Sequence, residues 1–381
     1  MSMEEKLPPR DEILQEFLKK YGSNVLLYAY KLKKWFPIRR GIKEVLLRKP
    51  PRYVRAVDGI TFYIREGETF CLVGESGCGK TTTGRTLIRL LDPTGGYVFY
   101  KARPETLKLL KEILGEKIYI NGDYVDLTTI PTKKFKPLRK ELQIIFQDPY
   151  GSLNPRFKIK DILEEPLLVH GIGGSAEERE KIVLKALEDV KLTPADEFAY
   201  RYPHMLSGGQ RQRVVVARAV ILNPRFVVAD EPVSMLDVSI RAEILELMME
   251  LKKRYGLTYL FITHDLAVAR YICDRIAVMY LGTIVEIADS DILVENPLHP
   301  YTKALIAAVP EPDPSLRHKF KEIPIKGEIP SAAAIPPGCR FHPRCVALDQ
   351  HPELKEKCTG TQPELIEYEK DHWVACWLYQ K

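Results

Sequence analysis

The chain has 381 residues, 45% of them hydrophobic and 28% charged, the make-up of an ordinary globular protein with room for a large core. Lys and Arg outnumber Asp and Glu by 57 to 51, an excess too small and too dispersed to point to nucleic acid as a partner. No apolar run approaches the roughly 20 residues of a spanning helix, and Met1–Lys20 lacks a signal-peptide core, so a cytosolic chain is expected, with any membrane role coming through partners.

Ile13, Leu14, Phe17, Leu18 and Tyr21 recur at helical spacing, which predicts a short amphipathic helix in an N-terminal extension, residues 1–24, lying on the chain's own surface. Val25–Tyr30 reads as a strand, and the basic, Pro-containing segment Lys31–Arg55 as a long loop. Val57–Ile64 and Thr69–Val73 follow as strands. Leu107, Leu110 and Leu114, set between lysines, make residues 101–117 an amphipathic helical insertion. Helical periodicity dominates Asp161–Val190, and short buried-strand runs return at Phe226–Ala229 and Thr258–Thr263. Ile276–Tyr280 turns at Leu281-Gly282 into Thr283–Ile287, a hairpin expected to close the main domain.

Beyond Pro297 prolines accumulate (Pro310, Pro312, Pro314, Pro324, Pro330, Pro336, Pro337), the mark of an irregular tail. Four of the seven cysteines crowd there, Cys339, Cys345, Cys358 and Cys376, spaced C-x5-C-x12-C-x17-C. In a cytosolic protein this pattern points to metal before disulfides. Four thiolates suit either tetrahedral Zn²⁺ or a [4Fe–4S] cluster, and the close C-x2-C pair common in zinc knuckles is missing.

The chemistry starts at Gly74-Glu-Ser-Gly-Cys-Gly-Lys-Thr81, which fits G-x-x-x-x-G-K-[ST] between a strand and a helix. Gly74, Gly77 and Gly79 let backbone N–H groups curl round phosphate oxygens, and the helix N-terminus adds partial positive charge. Lys80 reaches the β/γ-phosphates, Thr81 offers its hydroxyl to Mg²⁺, and Ser76 and Thr82 complete the nucleotide contacts. Phe226-Val-Val-Ala-Asp230-Glu231 is an apolar strand tipped by two carboxylates. Asp230 can hold the Mg²⁺ shell and Glu231 can polarise an attacking water.

With Leu206-Ser207-Gly208-Gly209-Gln210 added, the chain resembles the ATP-binding-cassette (ABC) ATPases over roughly residues 25–381. Ser207, Gly208, Gly209 and Gln210 open a helix and form a second phosphate cradle. The resemblance implies that this cradle closes on the ATP of an opposite subunit in a head-to-tail dimer. It further implies that Gln147 senses Mg²⁺ and the membrane partner, that Asp237 in Ser234-Met-Leu-Asp belongs to a dimer-contact loop, and that His264 contacts the γ-phosphate. Phe36 matches the adenine-stacking aromatic, with Tyr53 as the alternative. The implied fold is α/β, an ABC-type P-loop NTPase with a mixed sheet core, an antiparallel β subdomain, a helical signature subdomain (about 150–220) and an irregular Cys-rich C-terminal appendage. The ATPase domain would span 25–296 and the tail domain 297–381.

Ala56-Val-Asp-Gly59, Ser152-Leu-Asn-Pro-Arg156, Asn296-Pro-Leu-His-Pro-Tyr-Thr302 and Gly338-Cys-Arg-Phe-His-Pro-Arg-Cys345 resemble the ATPases of dipeptide and oligopeptide importers, specifically the second of the two paired subunits. That resemblance implies ATP and Mg²⁺ as cofactors and an iron–sulfur cluster on the four tail cysteines, with Zn²⁺ as the alternative. It also implies a second homologous ATPase, two membrane-spanning permeases and an extracytoplasmic solute-binding protein as partners, at the cytoplasmic face of the membrane. The rival class is a soluble ABC ATPase of translation or DNA repair. Those usually join two cassettes or insert a long coiled coil, and neither is present.

Overall fold

A computed structural model describes residues 7–41, 47, 50–309 and 323–380. Two sheets organise it. The first is antiparallel, in the order β2-β1-β4-β6-β5, built from β1 (Val25–Pro37), β2 (Tyr53–Arg65), β4 (Gly95–Lys101), β5 (Ile120–Asn121) and β6 (Tyr124–Asp126). The second is mixed, β12-β13-β11-β10-β3-β9-β8-β7, from β3 (Thr69–Val73), β7 (Leu142–Ile145), β8 (Phe226–Asp230), β9 (Thr258–Thr263), β10 (Arg275–Tyr280), β11 (Thr283–Asp289), β12 (Ile366–Glu369) and β13 (His372–Val374).

The centre of the mixed sheet is parallel, β10–β3–β9–β8–β7. Every residue of β3, β8 and β9 is buried, as strands covered on both faces must be. Alternation then divides their side chains between two cores. Cys71, Val73, Val227, Ala229, Tyr259 and Phe261 face one, while Phe70, Leu72, Phe226, Val228, Leu260 and Ile262 face the other.

Helix α1 (Arg10–Tyr21) lies on the antiparallel sheet, where Phe17 stacks on Tyr28 with centroids 3.8 Å apart and Arg10 pairs with Asp126 at 2.7 Å. Helix α2 (Lys80–Leu87) follows the glycine loop and sits hard against the parallel strands: a Cβ on Gly84 would lie 2.7 Å from Val228 Cγ1. Helix α3 (Pro104–Leu114) is the amphipathic insertion, with Leu107 and Leu110 buried. A helical layer follows, α4 (Ile159–His170), α5 (Ala176–Asp189) and α6 (Gly208–Val220), packed on the first core. Helices α7 (Val238–Tyr255), α8 (Leu266–Ile272) and α9 (Pro300–Ala307) complete the named set.

Two expectations change. The segment Lys31–Arg55 is not one long loop, because β1 continues to Pro37 and pairs there with Tyr53 of β2. Register shifts between Ala29 and Leu32 and between Leu32 and Lys33, with Lys31 at φ 45°, hide the alternation behind a lysine-rich sequence. The β10–β11 hairpin does not close the sheet either, since Glu286 and Ile287 pair with Val374 and Trp373 of β13. The tail is therefore woven into the main sheet rather than only appended. It is pinned by Arg275, whose guanidinium lies 5.4 Å from the Trp373 ring and 4.5 Å from Tyr63 while pairing with buried Glu68 at 3.2 Å. Cys71 and Cys273, 202 residues apart, are joined as a disulfide with Cα atoms 5.8 Å apart. Pro310, Pro312 and Pro314 lie outside the described residues.

Candidate functional site

At the carboxyl end of the parallel strands, where an open α/β sheet offers its ligand crevice, β3 runs into the glycine loop. Gly74 and Gly79 adopt φ 149° and 111°, and no side chain could replace them: a Cβ would stand 2.2 Å from Met279 O at Gly74 and 2.0 Å from Ala56 O at Gly79. Gly79 is the left-handed residue before α2, so the loop's N–H groups and the helix N-terminus converge on one spot. Lys80, 5% exposed, donates to Gly74 O at 2.7 Å and Glu75 O at 3.0 Å.

The Thr81 hydroxyl donates to Asp230 Oδ1 at 2.7 Å. Asp230 ends β8 almost fully buried, and its Oδ2 has no hydrogen-bond partner, with Arg85 3.5 Å away. Burial pushes the Asp230 carboxyl above the ordinary carboxylate range, against the pull of the Thr81 hydrogen bond and Arg85. A buried hydroxyl–carboxylate pair with an unused oxygen has the hard-donor chemistry that suits Mg²⁺.

Glu231 follows with φ 47°, a left-handed conformation uncommon for a residue with a Cβ and fixed by its own N–H donating to Ile262 O at 3.0 Å. The turn swings its carboxylate into the crevice. There Oε2 accepts from Gln147 Nε2 at 3.0 Å, and Oε1 lies 3.3 Å from His264 Nδ1. A cavity of about 500 Å³ gathers these groups, lined by Ala56, Ser76, Gly77, Gly79, Lys80, Thr81, Thr82, Gln147, Glu231 and His264. Gly74, Lys80, Asp230, Glu231, Gln147 and His264 thus come together from four separate strand ends and one loop.

The remaining sequence candidates lie elsewhere. Ser207 caps α6 in a reciprocal box with Gln210: Gln210 N donates to Ser207 Oγ at 3.3 Å, and Ser207 N to Gln210 Oε1 at 3.0 Å. Gly208 and Gly209 begin that helix, and a Cβ on Gly209 would meet Ile240 Cγ2 at 2.7 Å. Asp237 stands at the position before α7 without a side-chain capping bond, exposed beside Met235 and Val238. None of these lines the phosphate-loop cavity. Neither do Phe36 and Tyr53, which sit near the paired ends of β1 and β2, Phe36 opposite Val54 and Tyr53 opposite Pro37. Tyr53 lines a second cavity of about 560 Å³ with Arg55, Arg340 and residues 332–338.

The four tail cysteines are free and line a single, largely apolar cavity with His299, Phe341 and Trp377. Burial and the neighbouring thiols push Cys376 up to about 12, and burial does the same to Cys339. Among the described residues no three His, Cys, Asp or Glu side chains are grouped as a single metal ion would need. Sequence reasoning missed the tail's grip on the glycine loop. Arg344 chelates Glu75 at 2.7 and 3.0 Å, and Glu75 N donates to the Tyr301 hydroxyl at 2.9 Å. Partners 269 and 226 positions apart carry no local pattern that could have revealed them.

A family model described as ABC transporter matches residues 57–234, and one described as the C-terminal region of oligopeptide/dipeptide transporters matches 285–351. The chain is 45% identical over 359 residues to the oligopeptide transport ATP-binding protein AppF of Bacillus subtilis, covering 94% of this chain and 98% of that one. It is 44% identical over 351 residues to the dipeptide transport ATP-binding protein DppF of Haemophilus influenzae, covering 92% and 96%. Among solved structures, a dimeric post-hydrolysis ATP-binding cassette bound to ADP and Pi superposes with a TM-score of 0.55 at 27% identity, over 70% of this chain and 99% of that one.

Proposed function

Since this chain belongs to the ABC transporter ATP-binding proteins of the oligopeptide and dipeptide type, we propose that it binds and hydrolyses ATP to drive peptide import through a membrane permease pair. The observation that carries this reading is the division of the site. One cavity is lined by the phosphate loop with Thr81, Gln147, Glu231 and His264, and Asp230 is bonded to Thr81, while Ser207–Gln210 do not line it. A triphosphate seated on the loop needs a second subunit's cradle to enclose it.

In that enclosed site Gly74–Gly79 and Lys80 hold the phosphates. Thr81 and Asp230 would hold Mg²⁺, which when bound would supply positive charge against the phosphates. Glu231 takes the proton of the attacking water. Its carboxylate is oriented by Gln147 and faces His264, which in this reading would donate toward the γ-phosphate. Phe36 stacks on adenine, with Tyr53 as the alternative ring. Asp237 and Met235 meet the opposite subunit. The partners are a homologous second ATPase, two membrane-spanning permeases and an extracytoplasmic solute-binding protein. No helix of the described residues is long and apolar enough to cross a membrane, so attachment at the cytoplasmic face runs through the permeases.

Residues 25–296 make the ATPase domain and 297–381 the importer-type tail, with a [4Fe–4S] cluster on Cys339, Cys345, Cys358 and Cys376. What supports it is the donor chemistry: four free thiols line one apolar cavity. Such a cluster would cross-link four tail positions that lie far apart in the sequence. A colourless, zinc-containing protein after anaerobic purification would assign zinc instead.

The test is a Ser207→Arg variant. It should bind ATP as the wild-type chain does yet lose turnover in the assembled transporter, because the altered cradle faces the partner's nucleotide. Full ATPase activity in that variant would remove the paired-site reading. Absence of permeases after gentle membrane extraction would favour a soluble ATPase.

A further inference from the structure

The phosphate loop is held from two sides, and one of those sides belongs to the cysteine tail. Glu75, the first residue after Gly74, uses all of its polar groups. Both carboxylate oxygens accept from Arg344, its N–H donates to Tyr301, and its carbonyl accepts from Lys80 Nζ. Arg344 is 7% exposed at its side chain and lies in the short 3-10 turn His342–Arg344, directly before Cys345. Phe341, from the same turn region, packs on Tyr301 with centroids 5.4 Å apart. The turn is fixed by the cysteines that flank it: Cys339 N donates to Cys358 O at 2.8 Å, and His342 N to Cys339 O at 3.0 Å.

We infer that Arg344 is a positioning residue that couples the four-cysteine site to nucleotide binding, by setting Glu75 and through it the ammonium of Lys80. This rests on the ATP-binding reading above and adds a function for the tail. A bidentate guanidinium–carboxylate pair fixes the plane and the distance of its partner, which a single contact does not. Movement of the Cys339–Cys345 segment therefore moves Glu75, and with it the carbonyl that Lys80 uses. The coupling is reciprocal: whatever the tail site does to nucleotide affinity, nucleotide does to the tail site by the same factor.

The experiment uses the full-length chain as purified, with a fluorescent ADP derivative and Mg²⁺ as the nucleotide probe and a chromogenic chelator of iron and zinc as the tail probe. Arg344→Ala should weaken nucleotide binding roughly 5- to 150-fold, the range of typical coupling between sites. Arg344→Lys, which keeps the charge and loses the fork, should fall between it and wild type. Cys358→Ser, far from the loop, should weaken binding in the wild-type background and add nothing to Arg344→Ala. Saturating nucleotide should slow metal release from the wild-type chain and leave release from Arg344→Ala unchanged.

Wild-type affinity in Arg344→Ala overturns the coupling, and so does an additive double variant. A wild-type chain that takes no nucleotide overturns the proposed function and this inference with it. One that binds nucleotide normally but shows no link to the tail overturns the inference alone.

Discussion

Replacing Glu231 by Gln isolates one atom's chemistry. The carboxylate makes two contacts, Oε2 with Gln147 Nε2 at 3.0 Å and Oε1 with His264 Nδ1 at 3.3 Å. Gln has the same shape. Its carbonyl oxygen keeps the Gln147 bond, and its amide N–H₂ can donate to a neutral His264 Nδ1. The left-handed backbone at φ 47° is inherited unchanged, and the cavity keeps its volume. The site loses one negative charge beside a polyanion, so ATP affinity should hold or rise. The water loses its proton acceptor, a contribution of about 100- to 10,000-fold for general-base catalysis, equivalent to about 3–5 kcal/mol of barrier at 1.36 kcal/mol per tenfold. Phosphate release by the assembled transporter gives the rate, a nucleotide isotherm gives the affinity, and size exclusion with ATP reports whether a closed dimer accumulates. Turnover within tenfold of wild type would refute the role of Glu231. Lost ATP binding would show that the carboxylate holds the fold of the site rather than the water.

Gly79→Ala should weaken nucleotide binding by at least about tenfold, since left-handed strain alone is about 1–2 kcal/mol and the new Cβ also meets Ala56 O at 2.0 Å. Gly77→Ala, with nothing within 4 Å, should lose less, and equal effects in a binding isotherm would contradict the backbone argument. Arg275→Met should cost about 3–5 kcal/mol in urea unfolding because it strands buried Glu68. Adding Glu68→Gln should restore much of that, and a simple sum of the two losses would show that the pair does not act as a unit. On the cluster reading, Cys376→Ser should lower metal content and expose the tail to proteolysis; unchanged metal content would remove Cys376 from the ligand set.

The sequence was legible where chemistry sits at the end of a strand. Val73 into Gly74, Ala229 into Asp230 and Thr263 into His264 are local transitions from apolar run to polar tip, and all three lie at the carboxyl ends of neighbouring parallel strands. Elements whose order depends on distant partners were harder to read. The lysines of β1 read as loop because only Leu32 is buried in that stretch, opposite Ile60 on a bulged ribbon. The tail read as irregular because β12 and β13 have 4 and 3 residues, too few for a period to show, and are ordered by β13 pairing with β11 and β12 with β13. The separation of the Ser207 cradle from the phosphate loop was legible only through family resemblance, since spacing along the chain does not give distance across it.

The short strands at the end of the chain also decide how safely this protein can be handled. Without β13, the outer side of β11 would offer its unpaired N–H and C=O groups as a template for any extended chain nearby, and five of its seven residues are buried in the intact fold. β12 replaces that edge with four residues that include Glu367 and Glu369, exposed and interrupted by a register shift, a border on which another strand cannot easily add. A version cut back to the ATPase domain would lose the Arg344 and Tyr301 contacts to Glu75 and gain a sticky margin, so its expected fate on expression is aggregation.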